Sequence, residues 1–341
     1  MHNGDRAVLR ISIGTAIAAL VCYGLALPMP HLGCIMAWIV LCQGKPLPIK
    51  KGIVVGVVLM ATMIGGVLMV PLLTHYPMPA LLFTGLLLYL LMLMGLSGKG
   101  TQAMLLTTAV TIIPIAGLIE QSLAIGIAQM MGLGIIIGTV VNRFALALFP
   151  PHPTPAAAAK KVALPPESPH QLALRAVLIV LPVWLLALSN PTFYIPAVMK
   201  TVMLAQQTNT LSAKQMGREL VFSTLMGAVL AAVLWFGLSI WPSLLMLVLW
   251  LALVSMWVAR RMVRLAANRF TPAFWSNAWV TCLILFGPAI QDSASGKDVW
   301  IASAMRCSLY VAVALYGWAC VVILERWHPS GRPAVEATPG D

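Results

Sequence analysis

Long apolar runs alternate with short polar connections along the whole chain. Most runs hold about 20 residues, which is the length that a helix needs to cross the hydrocarbon core of a bilayer. Lipid cannot hydrogen-bond exposed backbone groups, so these spans are predicted to be helices. The pattern therefore indicates an all-α polytopic membrane protein. The predicted spans are 7–27, 31–43, 52–73, 79–96, 101–119, 122–148, 172–189, 192–207, 219–240, 243–259, 273–290 and 299–323.

The second half of the chain repeats landmarks of the first about 165 positions later, which indicates an internal duplication. We predict two parallel repeats of about six helices each, residues 1–149 and 172–327, since transporters are commonly built from such repeats with the substrate path between them. A Pro- and Ala-rich cytoplasmic linker (150–171) joins them, and a disordered cytoplasmic tail (328–341) follows. The matched landmarks are Arg10 with Arg175, Gly52 with Gly217, and Pro114 with Pro288.

Composition and charge agree with a membrane location. The chain is 60% hydrophobic with a mean hydropathy of +0.94, and only 9% of its residues are charged, against about a quarter in soluble domains. The net charge of +12 comes from basic residues in alternate connections. The positive-inside rule then places both termini in the cytoplasm. The basic residues are expected to contact the lipid bilayer rather than nucleic acid, because no folded basic surface is predicted.

The second span of each half is the least regular. Residues 31–43 are few for a crossing, and 192–207 contain Pro196 and Lys200. Short or broken segments at matched positions in two repeats indicate a transport site. A tilted or locally thinned span is the alternative, and a count of ten spans instead of twelve stays open.

The sequence carries no enzyme motif such as HExxH, GxSxG or CxxC. Its six cysteines lie in or next to spans without the spacing of metal ligands. We therefore predict no catalytic activity, no metal and no cofactor.

Two basic residues at membrane depth are candidate ligands for an anion. Lys200 lies in the middle of a span, and Arg306 lies about two turns into the last span. The corresponding position in the last span of the first half is Gln129. A guanidinium binds a carboxylate through two parallel hydrogen bonds. The alternatives are snorkelling or an ion pair for Lys200 and a helix-packing charge for Arg306.

Uncharged and aromatic side chains complete the predicted site. The amides of Gln43, Gln206 and Gln207 could orient a carboxylate, although capping of helix ends is an equal alternative. The rings of Trp38 and Tyr194 could stack on a substrate, although anchoring at the membrane interface is more common. Glu219 is the candidate for proton coupling, with a capping or surface-pair role as the alternative.

The arrangement resembles the fusaric-acid-resistance (FUSC) superfamily, which includes aromatic carboxylic acid efflux permeases. The resemblance covers both halves. It depends on the basic residue opening each first span, the short Pro-flanked second span ending in Gln, the starts "KKGIVVG" and "GRELVFSTLMG" of the third spans, and "NRFALALFPP" after the sixth.

The resemblance implies a location in the bacterial inner membrane and export of small organic anions together with a periplasmic membrane-fusion protein. We therefore expect a permease for small organic acids, with aromatic carboxylates as the favoured class and a homo-oligomer as a further candidate assembly. A passive organic-anion channel and an accessory scaffold of an envelope complex are the alternatives.

Overall fold

The computed structural model describes residues 3–43, 48–150, 169–191, 194–195, 197–199, 201–202, 213–263, 265, 270–294, 296 and 298–327, and these form helices and turns without strands. The first half contains α1 (Asn3–Gly24), α2 (Pro30–Cys42), α3 (Ile49–Gly66), α4 (Met69–His75), α5 (Pro77–Met94), α6 (Gly100–Ile119) and α7 (Gln121–Leu148). The second contains α8 (Pro169–Ser189), α9 (Ala213–Ile240), α10 (Leu244–Met262), α11 (Pro272–Ala294) and α12 (Val299–Trp327).

The prediction of an all-α polytopic membrane protein is confirmed. Among the described residues, nine helical segments are long and apolar enough to cross a membrane, and Pro30–Cys42 and Leu105–Ile119 are shorter apolar helices. Each predicted span coincides with helix except 192–207, most of which lies outside the described residues. The division into two repeats with the stated boundaries stays a prediction.

The predicted span 52–73 is divided into α3 and α4. Gly65 and Gly66 end α3, and glycine is a poor helix former. Pro71, one turn after Val67, has no N–H to donate to the Val67 carbonyl, and its ring crowds that oxygen. The two features together interrupt the helix within the span.

The two halves pack on each other reciprocally. The first helix of the first half, α1, packs against α10, and the first helix of the second half, α8, packs against α5, which is the counterpart of α10. Both pairs are antiparallel: Gly4 lies beside Leu265 and Gly24 beside Leu244 at opposite ends of the first pair. When each half contributes the same two helices to an interface, the contact has the form of a twofold-symmetric interface.

Helix α2 lies in the interior between the halves, packed against α7 of its own half and α11 of the other. Its 13 residues extend about 20 Å at the helical rise, less than the hydrocarbon thickness of about 30 Å. Ten of those residues are buried, so protein rather than lipid covers the helix. A helix covered by protein on this scale does not have to match the thickness of the hydrocarbon core.

Small residues bring α2 and α7 into close contact. A Cβ added at Gly134 would lie 2.8 Å from Gly33 Cα, and one at Gly138 would lie 2.7 Å from Ala37 Cα. On the other side of α7, Gly52 and Gly56 of α3 meet Thr139 and the Gly132 carbonyl. The Gly52xxxGly56 and Gly134xxxGly138 patterns thus allow close approach of these helices.

Candidate functional site

The contact between α2 and α11 is the part of the seam in which polar side chains meet. Trp38 is fully buried there, and its indole N–H donates to Ser276 Oγ at 3.3 Å. Its ring lies 5.5 Å from the ring of Trp279. Because the two helices run antiparallel, His31 at the start of α2 lies near the end of α11, beside Gly287.

An ion pair lies close to this end of the seam. Arg306 Nη1 of α12 is 2.6 Å from Asp292 Oδ2 of α11, and the two side chains are 24% and 10% exposed. Charges at such a position cost free energy unless they are paired. The pair therefore ties α12 to α11.

Two further polar groups lie within electrostatic range of Arg306, the imidazole of His31 and the hydroxyl of Tyr310. His31 is 7% exposed and Tyr310 is 1% exposed. Within the part of the chain that the structure describes, neither His31 Nδ1 nor Tyr310 Oη has a hydrogen-bond partner. Both groups therefore remain able to form a further hydrogen bond.

An apolar cavity of about 200 Å³ lies between α9, α11 and α12. Ser303 and Cys307, which flank Arg306 on α12, and Ala289, one turn before Asp292 on α11, belong to its wall. The aromatic side chains of the wall are Trp235, Phe286 and Trp300. The cavity and the ion pair thus use adjacent faces of the same two helices.

The remaining predicted site residues lie elsewhere or outside the described residues. Gln43 is exposed at the end of α2, with its backbone N–H directed to the Val40 carbonyl. Tyr194 is half-buried and packs on the hydrophobic core. Three predicted ligands, Lys200, Gln206 and Gln207, lie outside the described residues. Of the predicted set, the structure places Arg306 and Trp38 in the seam.

The burial of Trp38 bears on both of its predicted roles. A side chain anchoring at the membrane interface is partly exposed, whereas Trp38 is fully enclosed between α2 and α11. Its ring is covered by Trp279. Stacking of a substrate on this ring would require the seam to open.

Glu219 lies at the opposite end of α9 from the cavity. Its carboxylate accepts a hydrogen bond from Thr271 Oγ1 at 2.6 Å, and the same hydroxyl accepts from the backbone N–H of Phe274 in the first turn of α11. This contact joins α9 to the start of α11. The arrangement supports the alternative in which Glu219 contributes to a helix cap.

Sequence analysis missed three members of the polar cluster: Asp292, His31 and Tyr310. Asp292 lies just beyond the predicted span 273–290, and the helix continues past that end, to Ala294. His31 was not recognised as a site residue because it lies at the start of the short span 31–43. Tyr310 lies one helical turn after Arg306, and that spacing was an available signal.

The cluster is not a metal site. Among the described residues, no group of three or more His, Cys, Asp or Glu side chains is close enough to hold a metal ion. A guanidinium, a carboxylate, an imidazole and a phenol favour an anion with hydrogen-bonding oxygens.

Comparison with known proteins gives one match. Residues 7–146 match the model of a family described as "Protein of unknown function (DUF2955)". This range begins in α1 and ends in α7, so it contains the six predicted spans of the first half. No curated protein and no solved structure matches the chain. The match assigns no activity, and the resemblance to the FUSC superfamily stays a prediction.

Proposed function

We propose that this polytopic membrane protein is a bacterial inner-membrane permease that exports small organic acids, with aromatic carboxylates as its favoured substrates. The observation that carries the proposal is the Arg306–Asp292 pair close to one end of the seam between the two halves. An ionised pair is a costly way to pack apolar helices, and hydrophobic residues of similar volume often stabilise as well or better. A buried guanidinium is, however, what a carboxylate substrate needs.

The surroundings of Arg306 support an organic anion rather than an inorganic one. The neighbouring cavity of about 200 Å³ is lined mostly by alanine and aromatic side chains. A cavity of about 150 Å³ is sufficient for a benzene ring. In this proposal, the ring of the substrate occupies the cavity while its carboxylate is held at Arg306, with Tyr310 and His31 supplying further hydrogen bonds.

The orientation follows from the basic residues. Lys50, Lys51, Lys99 and Arg260 lie at the ends or connections of helices opposite to the Asp292 end. By the positive-inside rule, the Asp292 end faces the periplasm and both termini face the cytoplasm. A periplasmic membrane-fusion protein is then the proposed partner for carrying the acid onward.

The test is accumulation of labelled benzoate, 4-hydroxybenzoate and succinate in cells that lack the chain, complemented with wild type, Arg306→Gln or Arg143→Gln. Arg143 is an exposed arginine of α7 remote from the seam and serves as the matched control. Wild type and Arg143→Gln should lower intracellular benzoate and 4-hydroxybenzoate, whereas Arg306→Gln should not. Equal export by both variants at equal expression would remove Arg306 from the path.

A scaffold is the second candidate, because the Arg306–Asp292 contact also suits a static link between α11 and α12. In that case all four strains accumulate the acids equally, while assembly of an envelope complex is impaired by loss of the chain. The passive channel differs in kinetics: its flux does not saturate, and it moves acids only down their gradient.

A further inference from the structure

Arg10 is a second buried arginine, and it lies in the first half of the chain. It is about two turns into α1 and 8% exposed. Its Nε is enclosed without a hydrogen-bond partner, and the described residues offer the side chain no ion pair. Arg6, one turn earlier, extends to the surface instead, where its Nη1 donates to the Pro150 carbonyl at 3.0 Å. Basic residues at the ends of spans usually do the same, so burial distinguishes Arg10 from an ordinary surface anchor.

The register of α1 on α2 brings Arg10 to the carboxyl end of α2. Gly14, one turn after Arg10 on the same face of α1, packs on the Leu41 side chain. Because α1 and α2 run antiparallel, Arg10 is level with the residues that follow Leu41. Cys42, the last residue of α2, lies within electrostatic range of Arg10. Ser12, on the other face of α1, donates to a carbonyl of α10, so Arg10 is directed away from that helix.

A second buried polar group approaches the same end of α2 from α7. Gly138 packs on Ala37 and Val40 of α2, and Asn142 lies one helical turn further along α7. Asn142 is 2% exposed, and its Oδ1 has no hydrogen-bond partner among the described residues. Gln43, which was predicted to orient a carboxylate, also lies at this end of α2. The donors that suit a carboxylate are therefore a guanidinium and neighbouring amides.

Acids that could neutralise Arg10 are scarce in its own half. Arginine stays ionised in proteins, and a buried charge without a partner costs free energy. Residues 1–149 contain two acids, Asp5 and Glu120. Asp5 is exposed and five positions from Arg10 along α1, which turns it to another face of the helix. Glu120 precedes α7, at the opposite end of that helix from Asn142. An anion from solution can supply the missing charge.

We propose that Arg10 and Asn142 form a second anion-binding site, which takes the carboxylate of a small organic acid from the cytoplasm. The guanidinium holds the carboxylate through parallel hydrogen bonds, and the Asn142 amide, which has two donors and one acceptor, donates a further one. This inference rests on the proposed function, because it assigns the place where an exported acid is first bound.

Helix α2 separates this site from Arg306. His31, near the start of α2, is within electrostatic range of Arg306, and Cys42, at its end, is within that range of Arg10. The helix between them is about 20 Å long at the helical rise. The enclosed ring of Trp38 lies in the middle of this length. The two sites are therefore far enough apart to bind one anion each.

The experiment is saturation binding of radiolabelled benzoate to the full chain in nanodiscs of phosphatidylcholine, a lipid without net charge. Wild type should bind two benzoates per chain, and Arg10→Gln and Arg306→Gln should bind one each. Arg143→Gln is the matched control, since it removes the same charge from an exposed position of α7 next to Asn142, and it should bind two. Arg10→Lys keeps the charge without the paired donors, so it should bind two, one of them about tenfold more weakly.

Asn142→Asp tests the site while Arg10 stays in place. The new carboxylate would supply a permanent partner for the guanidinium, so this variant should bind one benzoate and should resist sodium dodecyl sulfate at least as well as wild type. It keeps the inference testable if Arg10→Gln does not fold. Two benzoates on Asn142→Asp would overturn the inference.

A phospholipid headgroup offers an anion of similar chemistry, and nanodiscs that contain phosphatidylglycerol distinguish the two sources. Two benzoates on wild type in both lipids support the organic acid. A decrease from two to one with phosphatidylglycerol, absent in Arg10→Gln, would show that the headgroup occupies Arg10 and would overturn the assignment.

The number of bound anions separates failure of this inference from failure of the proposed function. One benzoate on wild type, kept in Arg10→Gln and lost in Arg306→Gln, would overturn the second site and leave the permease proposal standing. One benzoate that is lost in Arg10→Gln and kept in Arg306→Gln would support the site at Arg10 and reject Arg306 as a substrate ligand. No binding to wild type would reject both sites.

Discussion

The close contact between α2 and α7 gives a prediction that is independent of substrate. In Gly138→Ala, the added Cβ would lie 2.7 Å from Ala37 Cα and 3.2 Å from Ala37 Cβ. Carbon atoms in contact are separated by about 3.5–4.0 Å, so α2 and α7 must move apart by about 1 Å. Backbone cannot rotate away as a flexible side chain can, and the strain is shared by the whole interface.

The magnitude follows from two opposing contributions. Overpacking of a close interface costs about 1–3 kcal/mol, whereas replacing glycine by alanine inside a helix contributes about 1 kcal/mol of stabilisation. We expect a net loss of up to about 2 kcal/mol in the free energy of unfolding. Gly126, on the same helix, has open space where its Cβ would lie, so Gly126→Ala is the matched control and should be neutral or slightly more stable.

The assay is reversible unfolding of the detergent-solubilised protein by sodium dodecyl sulfate, followed by the change in helical circular dichroism. Gly138→Ala should unfold at a lower mole fraction of the denaturant than wild type, and Gly126→Ala should not. If the two variants unfold together, α2 and α7 do not approach as closely as described. The short helix would then not be held by its small residues.

Three further predictions concern the seam and its surroundings. In a double-mutant cycle on unfolding, Arg306→Gln and Asp292→Asn should each lower the free energy of unfolding by about 2–4 kcal/mol, because each removes one partner of a largely buried ion pair. The double variant should lose about 1–3 kcal/mol less than the sum of the two single losses. Additive losses would mean that the two side chains do not interact. Gly287→Ala should displace His31 from α11, because the new Cβ would overlap the imidazole. It should impair transport more than the control Gly85→Ala, whose Cβ meets open space. Equal transport by the two variants would show that transport does not depend on the position of His31. Glu219→Gln should leave pH-driven transport unchanged, because Glu219 bonds to a capping hydroxyl away from the polar cluster; a lost pH response would restore Glu219 as the coupling residue.

The sequence is sufficient to predict the helices because length and hydropathy are local properties. The bounds of α2, α7 and α12 differ from the predicted spans by a few residues at most. The interruption between α3 and α4 follows from Gly65, Gly66 and Pro71 and could have been predicted from them.

The partner of Arg306 could not be predicted in the same way. Which carboxylate a guanidinium contacts depends on how α11 and α12 are rotated about their axes, and their weak amphipathicity does not fix that rotation. Likewise, the enclosure of Trp38 follows from the approach of α11 of the second half, a contact between residues 238 positions apart. Single-sequence patterns carry little information about such pairs.

The reciprocal packing of the halves has a consequence for their evolution. Two identical subunits related by a twofold axis must present every feature twice, so a charged pair in one would be mirrored in the other. In this chain the position corresponding to Arg306 is occupied by Gln129, which is exposed on α7. Joining both copies in one polypeptide releases them from that constraint. Under the proposed function, one half then binds the anion at Arg306 while the other keeps its packing surfaces, and the proposed site lies away from the axis.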